Sequence, residues 1–122
     1  MNYRHIYHAG NFADCMKHTL LVSLLQHFLR KDSPFVVLDT HAGIGRYDLE
    51  SPEAEKTGEY HDGIGKLWAE APDSPLTPWL GLVRKAWGTR SSPGSPLLAS
   101  LMLRPPDHLV FCDKHPADQS AL

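Results

Sequence analysis

A short acidic and glycine-containing segment has the residue types that could hold a cofactor. Residues 35–38 are all apolar, Asp39 follows them directly, and Gly43 and Gly45 lie in the turn after the acid. This order is typical of a buried parallel strand that ends at a ligand crevice, where backbone amides approach a bound molecule. The segment therefore predicts a cofactor site, and the alternative is an ordinary strand-to-helix turn.

The glycine spacing separates this turn from two common nucleotide-binding loops. It lacks the Gly-x-Gly-x-x-Gly pattern of dinucleotide-binding proteins, and Arg46 and Tyr47 stand where a Walker loop has Lys and then Ser or Thr. The turn is closer to the acidic-x-Gly-x-Gly-x-Gly pattern of S-adenosylmethionine enzymes, with His41 at the position of the first glycine. Among cofactors, the pattern favours S-adenosyl-L-methionine.

A second apolar run also leads to an acid. Residues 108–111 continue through Cys112 to Asp113. In doubly wound folds an acid at the end of the second strand accepts hydrogen bonds from ribose hydroxyls, about 20 residues after the glycine turn. Asp113 is much farther than that from Asp39, so an insertion is expected between the two strands. The alternative is that Asp113 caps a helix beginning at Pro116.

Polar side chains are also concentrated near the N-terminus. Asp14 and His18 are four residues apart, and Lys17 is next to His18. We predict a cationic patch there that binds a carboxylate, such as that of a methionine moiety; the alternative is a solvated helix face. The eight histidines form no His-x-x-x-His pair on a helix and no Cys-x-x-Cys occurs, so no metal site is predicted.

Composition limits the class of protein. The formal net charge of −2 gives no global basic field of the kind that drives nucleic-acid binding, so RNA contact would depend on local patches. One such candidate is the group Arg84, Lys85 and Arg90 around Trp87, although a solvated face is the alternative. Cys15 in a predicted helix and Cys112 in a predicted buried strand suit reduced thiols. With no membrane-length apolar run and no signal-peptide core, we predict a cytoplasmic protein without membrane association.

The elements that would position these residues are predicted from periodicity and capping signals. Asn11 caps a helix from residue 12 to about 30, in which Leu20, Leu21, Leu24, Leu25 and Phe28 recur at helical spacing. Three further helices are predicted: one at 59–69, one that Thr77 caps and that ends before Gly88, and one that Ser95 caps and that ends at about residue 103. Residues 48–57 are predicted to form a loop. Two parallel strands cannot cover both of their faces alone, so the sequence is expected to be the opening part of a larger domain.

Runs of residues along essentially the whole chain match a pattern known from one protein family. These runs are Tyr3-Arg4-His5, His8-Ala9-Gly10-Asn11, Ala13-Asp14, Lys17-His18-Thr19, Leu38-Asp39-Thr40-His41-Ala42-Gly43, Gly45-Arg46-Tyr47, Thr57-Gly58-Glu59-Tyr60, Gly63-Ile64, Pro93-Gly94-Ser95-Pro96-Leu97 and His115-Pro116. In these runs the chain resembles the bacterial 23S ribosomal RNA adenine-N6 methyltransferases, the RlmJ family. His41 is accounted for as a family feature.

The resemblance implies a class I, Rossmann-like α/β methyltransferase fold that uses S-adenosyl-L-methionine. Residues 1–122 would be the N-terminal part of that domain: tail and helix at 1–34, first strand and cofactor loop at 35–47, helical insertion at 48–107, and second strand with the start of a helix at 108–122. Tyr3 would contact the substrate, 23S ribosomal RNA, and Asp113 stands where relatives carry glutamate. The implied cofactor residues are His18, His41, Ser95 and Asp113, with Lys17, Asp39 and Gly43 as further candidates.

The catalytic motif of such enzymes, an Asp-Pro-Pro-Tyr loop after the fourth strand, has no counterpart in the sequence. The only Pro-Pro pair is Pro105-Pro106, which Asp107 follows, and it precedes the second strand. No catalytic residue is therefore assigned. We expect a truncated enzyme that needs the C-terminal part of the domain or a second chain for activity. The alternative is a non-catalytic remnant or interaction module that retains part of the cofactor pocket.

Overall fold

The computed structural model describes residues 4–68, 74–87 and 90–114. Helices within these ranges are α1 (Phe12–Phe28), α2 (Pro52–Thr57), α3 (Ile64–Leu67), α4 (Thr77–Trp87) and α5 (Ser95–Met102), with 3-10 helices at His5–Tyr7 and Glu59–Asp62. The strands are β1 (Val36–Asp39), β2 (Arg46–Asp48), β3 (Ser91–Pro93) and β4 (His108–Phe111). The predicted α/β content is thus confirmed. No helix in the described ranges is long and apolar enough to cross a membrane.

Helix α1 begins where its cap predicts but has two apolar faces. The Asn11 side chain accepts a hydrogen bond from the Asp14 backbone amide at 2.9 Å. The buried face consists of Asp14, Cys15, His18, Thr19, Val22 and Leu25. Phe12, Met16, Leu20, Leu24 and Phe28 lie on the other side and are each more than half exposed. The predicted apolar repeat therefore mixed residues from both faces.

Strands β1 and β4 pair in parallel, as predicted, with Val36 opposite His108 and Asp39 opposite Phe111. The prediction of a buried strand was wrong, because Val36 and Leu38 are largely exposed. Helix α5 packs against both strands, and within the described residues nothing covers the opposite face. Cys112, predicted in a buried strand, is exposed just beyond β4, whereas Cys15 is buried in α1 as expected.

Strands β2 and β3 form an antiparallel pair that the sequence did not predict. Tyr47 is opposite Ser92 in this pair, and both residues are buried. The segment predicted as a helical insertion therefore contains β-structure as well as helices. Its first part, predicted as a loop, includes α2, which Ser51 caps by accepting from the Ala54 amide at 3.2 Å and which ends at Gly58 in the left-handed region.

The helix predicted at 59–69 is interrupted at Gly63. A Cβ at this position would lie 2.1 Å from the Gly10 carbonyl oxygen, so only glycine allows the N-terminal segment to pass this closely. The Ile64 amide then donates to the same Gly10 oxygen at 2.8 Å and starts α3. Residue 69 lies outside the described ranges.

The remaining two helices differ from their predictions only at their ends. Thr77 is the first residue of α4 and not its cap, while the predicted stop, Gly88, lies outside the described ranges. Gly94, not Ser95, occupies the cap position of α5. The largest fully buried side chains come mainly from the middle of the chain, and they are Trp79, Leu49, Ile64, Leu80, Leu98, Val22 and Val83.

Candidate cofactor site

The carboxyl ends of β1 and β4 meet, and the loop after β1 is hydrogen-bonded to the chain after β4. The Cys112 amide donates to the Asp39 carbonyl at 2.8 Å, and the Ala42 amide donates to the Cys112 carbonyl at 3.0 Å. The Gly43 amide donates to Oδ2 of Asp113 at 2.8 Å. The two acids predicted at strand ends are therefore joined to one glycine turn, at the edge of a parallel sheet where ligands bind.

Asp39 connects this turn to the start of α5. Its Oδ1 accepts from the His41 backbone amide at 3.1 Å, and its Oδ2 accepts from the Ser95 hydroxyl. The predicted capping role of Ser95 was wrong, because its hydroxyl is used by the acid at the end of β1. His41 itself is exposed, with its Nδ1 2.9 Å from the Thr40 hydroxyl.

Tyr47 of β2 packs against the glycine turn. Gly43 has a φ of 69°, and a Cβ there would lie 1.9 Å from the Tyr47 hydroxyl, so this position requires glycine. The same hydroxyl accepts from the Ile44 amide at 3.3 Å, and the Gly94 amide donates to the Gly45 carbonyl at 2.6 Å. Tyr47 and Gly94 were missed as positioning residues, although both belong to the sequence runs that carry the resemblance.

Helix α1 contributes His18 and Lys17, but not the predicted cationic patch. Burial lowers the pKa of His18 to about 4, against the opposing effect of the Asp14 charge, so His18 is neutral at pH 7. Its Nδ1 is buried without a hydrogen-bond partner among the described residues, and its ring lies 6.5 Å from that of Trp79. The alternative of a solvated helix face is equally wrong for His18. Lys17 alone is exposed, with its Nζ 3.6 Å from Oδ1 of Asp14.

Asp14 is a buried acid that holds the N-terminal segment in place. Its Oδ2 lies 2.7 Å from Nε2 of His5 and accepts from the Gly10 amide at 2.9 Å. Burial raises the pKa of Asp14, but the hydrogen bond to His5, the charges of His5 and His18, and the Gly10 amide together lower it below its ordinary value. Oδ2 of Asp14 is therefore occupied by contacts within the N-terminal segment, whereas Oδ1 is buried without a hydrogen-bond partner among the described residues.

Comparison with known proteins identifies the family. The sequence model described as "Ribosomal RNA large subunit methyltransferase D, RlmJ" matches residues 32–122. The chain belongs to the RlmJ family.

Two relatives in the RlmJ family are proteins named "Ribosomal RNA large subunit methyltransferase J". The chain is 44% identical over 127 residues to the one from Escherichia coli K12 and 41% identical over 128 residues to the one from Haemophilus influenzae. Both matches cover 100% of the chain and 45% of the relative. A crystal structure of a Legionella pneumophila protein superposes with a TM-score of 0.83 at 36% identity, over 93% of this chain and 43% of that one. The chain thus spans less than half the length of these relatives.

The residues that the RlmJ resemblance assigns to the cofactor fall into two groups. Asp39, His41, Gly43, Ser95 and Asp113 come together around the glycine turn. His18 and Lys17 lie on α1, and the charge of Asp39 acts on the pKa of His18. Tyr3, predicted to contact RNA, lies outside the described ranges. No group of three or more His, Cys, Asp or Glu that could hold a metal ion occurs among the described residues.

The basic cluster predicted as an RNA contact is engaged in the fold as far as the structure describes it. The Arg84 guanidinium donates to the carbonyls of Leu67 and Trp68, at 3.2 and 2.8 Å. Arg90 lies 3.7 Å from a carboxylate oxygen of Glu50. Neither contact tests the predicted RNA contact, and the side chains of Lys85 and Trp87 lie outside what the structure describes.

Proposed function

We propose that this chain supplies the S-adenosyl-L-methionine site of a class I, Rossmann-like methyltransferase that methylates N6 of an adenine in 23S ribosomal RNA, in the cytoplasm. Membership of the RlmJ family supports the reaction class. The observation that carries the proposal is the hydrogen bond from the Gly43 amide to the Asp113 carboxylate, which joins the ends of adjacent parallel strands around one turn. Ligands of open α/β sheets bind at such strand ends.

The chemistry of these side chains fits the cofactor. Asp39 and Asp113 are carboxylates, which accept hydrogen bonds from ribose hydroxyls or from an ammonium group. The unpartnered Nδ1 of His18 is a buried polar atom for which a ligand would provide a partner. When bound, S-adenosyl-L-methionine supplies an electrophilic methyl group. The role of the chain's own residues is to hold and orient it.

Transfer to an exocyclic amino group needs functions that these residues do not provide. The target base must be withdrawn from its stack and held, and its amino group must lose a proton. No residue of the chain matches the Asp-Pro-Pro-Tyr motif. We therefore assign cofactor binding to this chain and propose that methyl transfer requires the part of the domain that the relatives contain outside the matched segment.

A second candidate function is that of a non-catalytic interaction module. The observation that favours it is the set of exposed apolar side chains on α1 and β1, which a module would use to bind a partner. This function predicts association without cofactor affinity, so a cofactor titration separates the two proposals.

The test is calorimetric titration of the chain with S-adenosylhomocysteine. Asp113→Asn should weaken binding at least tenfold, because a hydrogen bond to a charged group contributes about 1.5–3 kcal/mol. Asp113→Glu should retain binding, and Asp62→Asn, at an exposed acid paired only with Lys66 in the described structure, is the matched control. Equal affinity of Asp113→Asn and the unsubstituted chain would contradict the assignment. Methylation of 23S ribosomal RNA by the purified chain alone would contradict the proposal that methyl transfer requires the part of the domain outside the matched segment.

A further inference from the structure

The side chain of Arg46 on β2 is exposed, but hydrogen bonds hold its guanidinium in one position. Nε and Nη2 donate to the Ser91 hydroxyl at 3.3 and 3.2 Å, and Ser91 itself is buried in β3. The backbone on either side is also fixed, because the Gly45 carbonyl accepts from the Gly94 amide and Tyr47 is buried. An arginine that is already oriented loses less conformational entropy when it binds a ligand. The Arg46 guanidinium is therefore preorganised for a further contact.

The positive charge of Arg46 forms no ion pair with the described residues. Two other arginines of the chain are paired with acids. Arg90 lies 3.7 Å from a carboxylate oxygen of Glu50, and Nε of Arg104 lies 3.0 Å from one of Asp107. The partner of Arg46, in contrast, is a neutral hydroxyl. Its charge is therefore oriented by the fold without being neutralised by it.

The Ser91 hydroxyl occupies only one edge of the Arg46 guanidinium. The second edge, formed by Nη1 and Nη2, has parallel N–H groups that match two oxygens of one phosphate or carboxylate. Asp48 lies on the same face of β2, because alternate residues of a strand share a face. Its Oδ1 accepts from the Glu50 amide at 2.9 Å, and it forms no ion pair with Arg46. The second edge is therefore suited to an oxyanion that the described residues do not provide.

The position of Arg46 on its strand separates it from the cofactor turn. Successive residues of a strand point to opposite faces, and Tyr47 points to the turn, where its hydroxyl accepts from the Ile44 amide. Arg46 therefore lies on the other face of β2. An oxyanion at this position belongs to a ligand that extends beyond the turn. The RNA substrate of the proposed function is such a ligand, and every nucleotide of it carries a phosphate.

We propose that Arg46 binds a backbone phosphate of the substrate RNA beside the cofactor site, with Ser91 as the residue that positions its guanidinium. The net charge of −2 and the strand-end acids Asp39 and Asp113 repel RNA, so a local cation is needed to hold a phosphate at this edge. A phosphate contact fixes the position of a nucleic acid without reading its sequence. The inference rests on the proposed function, because it names a contact of the same substrate.

The test is the affinity of the purified chain for a transcript of 23S ribosomal RNA, measured by filter binding over a series of salt concentrations. Arg46→Gln should weaken binding roughly fivefold at low salt and reduce the slope of log K against log salt by about 0.7, because one phosphate contact is lost. Arg46→Lys should keep the slope but recover only part of the affinity, since an ammonium has the charge without the paired N–H groups. Arg30→Gln is the matched control, because it removes the same charge from an exposed arginine that precedes β1, at the other end of that strand.

Three results would overturn the proposal: no RNA binding by the unsubstituted chain, an unchanged slope in Arg46→Gln, or an equal change of slope in Arg30→Gln. Titration of Arg46→Gln with S-adenosylhomocysteine should give the affinity of the unsubstituted chain. A loss there would assign Arg46 to the carboxylate of the cofactor and refute the phosphate contact. The cofactor titration contains no RNA, so the two failures are distinguishable. Cofactor affinity with an unchanged slope would refute this inference alone, and a changed slope without cofactor affinity would refute the proposed cofactor site alone.

Discussion

The two strand pairs of this molecule are covered to different extents. Strands β2 and β3 are short, yet every residue of β3 is buried and Tyr47 of β2 lies in the core. Strands β1 and β4 are longer and more apolar, but they leave Val36, Leu38 and Val110 exposed. Coverage by the rest of the chain therefore decides burial here, and strand hydrophobicity does not.

The candidate site lies between these two regions. Its acids, Asp39 and Asp113, belong to the partly covered pair, whereas its glycine turn is bonded to Tyr47 and Gly94 of the covered pair. The covered pair therefore helps to fix the shape of the turn, although one face of the neighbouring sheet is exposed among the described residues. The difference teaches that the shape of the turn and the coverage of the β1–β4 sheet depend on different contacts.

The same substitution in the two regions should give very different losses of stability. Leu49→Ala, just after β2, removes a side chain that is 1% exposed and should lower the free energy of unfolding by about 2–5 kcal/mol. Leu38→Ala on β1 removes one that is 62% exposed and should change it by less than about 0.5 kcal/mol. Urea denaturation followed by circular dichroism measures both. Equal losses would show that the face of β1 is buried in solution, and the comparison would fail.

A buried side chain on α1, His18, should dominate the loss of stability of the fold at acid pH. His18 has a pKa of about 4 in the folded chain because burial opposes its charged form, compared with 6.5 for an ordinary histidine. Between these values the unfolded chain binds more protons, so stability is complete above about pH 6.5 and falls as the pH drops to about 4. The shift corresponds to about 3 kcal/mol.

This pH dependence can be measured by urea denaturation at half-unit steps from pH 7 to pH 4. In His18→Gln the slope over this range should largely disappear, whatever the absolute stability of the variant. A flat profile for the unsubstituted chain would mean that His18 is hydrated in the folded state. That result would mean that the buried face of α1 is accessible to water as well as its exposed face.

Local signals in the sequence predicted the elements around the site well. The Asn11 cap placed the start of α1, and the apolar runs ending in Asp39 and Asp113 predicted two parallel strands, whose carboxyl ends the structure brings together. These features depend on neighbouring residues in the chain, namely a cap, an apolar run and a glycine turn. The resemblance to the RlmJ family added Ser95, whose contact with Asp39 no spacing argument could have predicted.

The features that sequence analysis missed depend on distant residues. The β3 sequence Ser91-Ser92-Pro93 has no strand-like pattern, and it pairs because Arg46–Asp48 lies beside it. His18 was assigned a charge because its burial against Trp79 could not be read from α1. The break at Gly63 arises from the approach of Gly10, far away in sequence. Burial of β1 was expected because the prediction assumed neighbours that the described residues do not include.

A smaller loss than at Leu49 or His18 is expected at the hydrogen bond that connects the two regions directly. Ser95 follows β3 in the chain, and its hydroxyl donates to the Asp39 carboxylate at the end of β1. Ser95→Ala should lower the free energy of unfolding by about 1.5 kcal/mol, the lower end of the range for a hydrogen bond to a charged group. It should also weaken S-adenosylhomocysteine binding several-fold, because Asp39 loses the contact that orients it. Ser100→Ala is the control, since this hydroxyl donates only to the Leu97 carbonyl within α5, at 2.8 Å. If the two variants were equally neutral, the hydrogen bond between Ser95 and Asp39 would not couple the covered strand pair to the uncovered one.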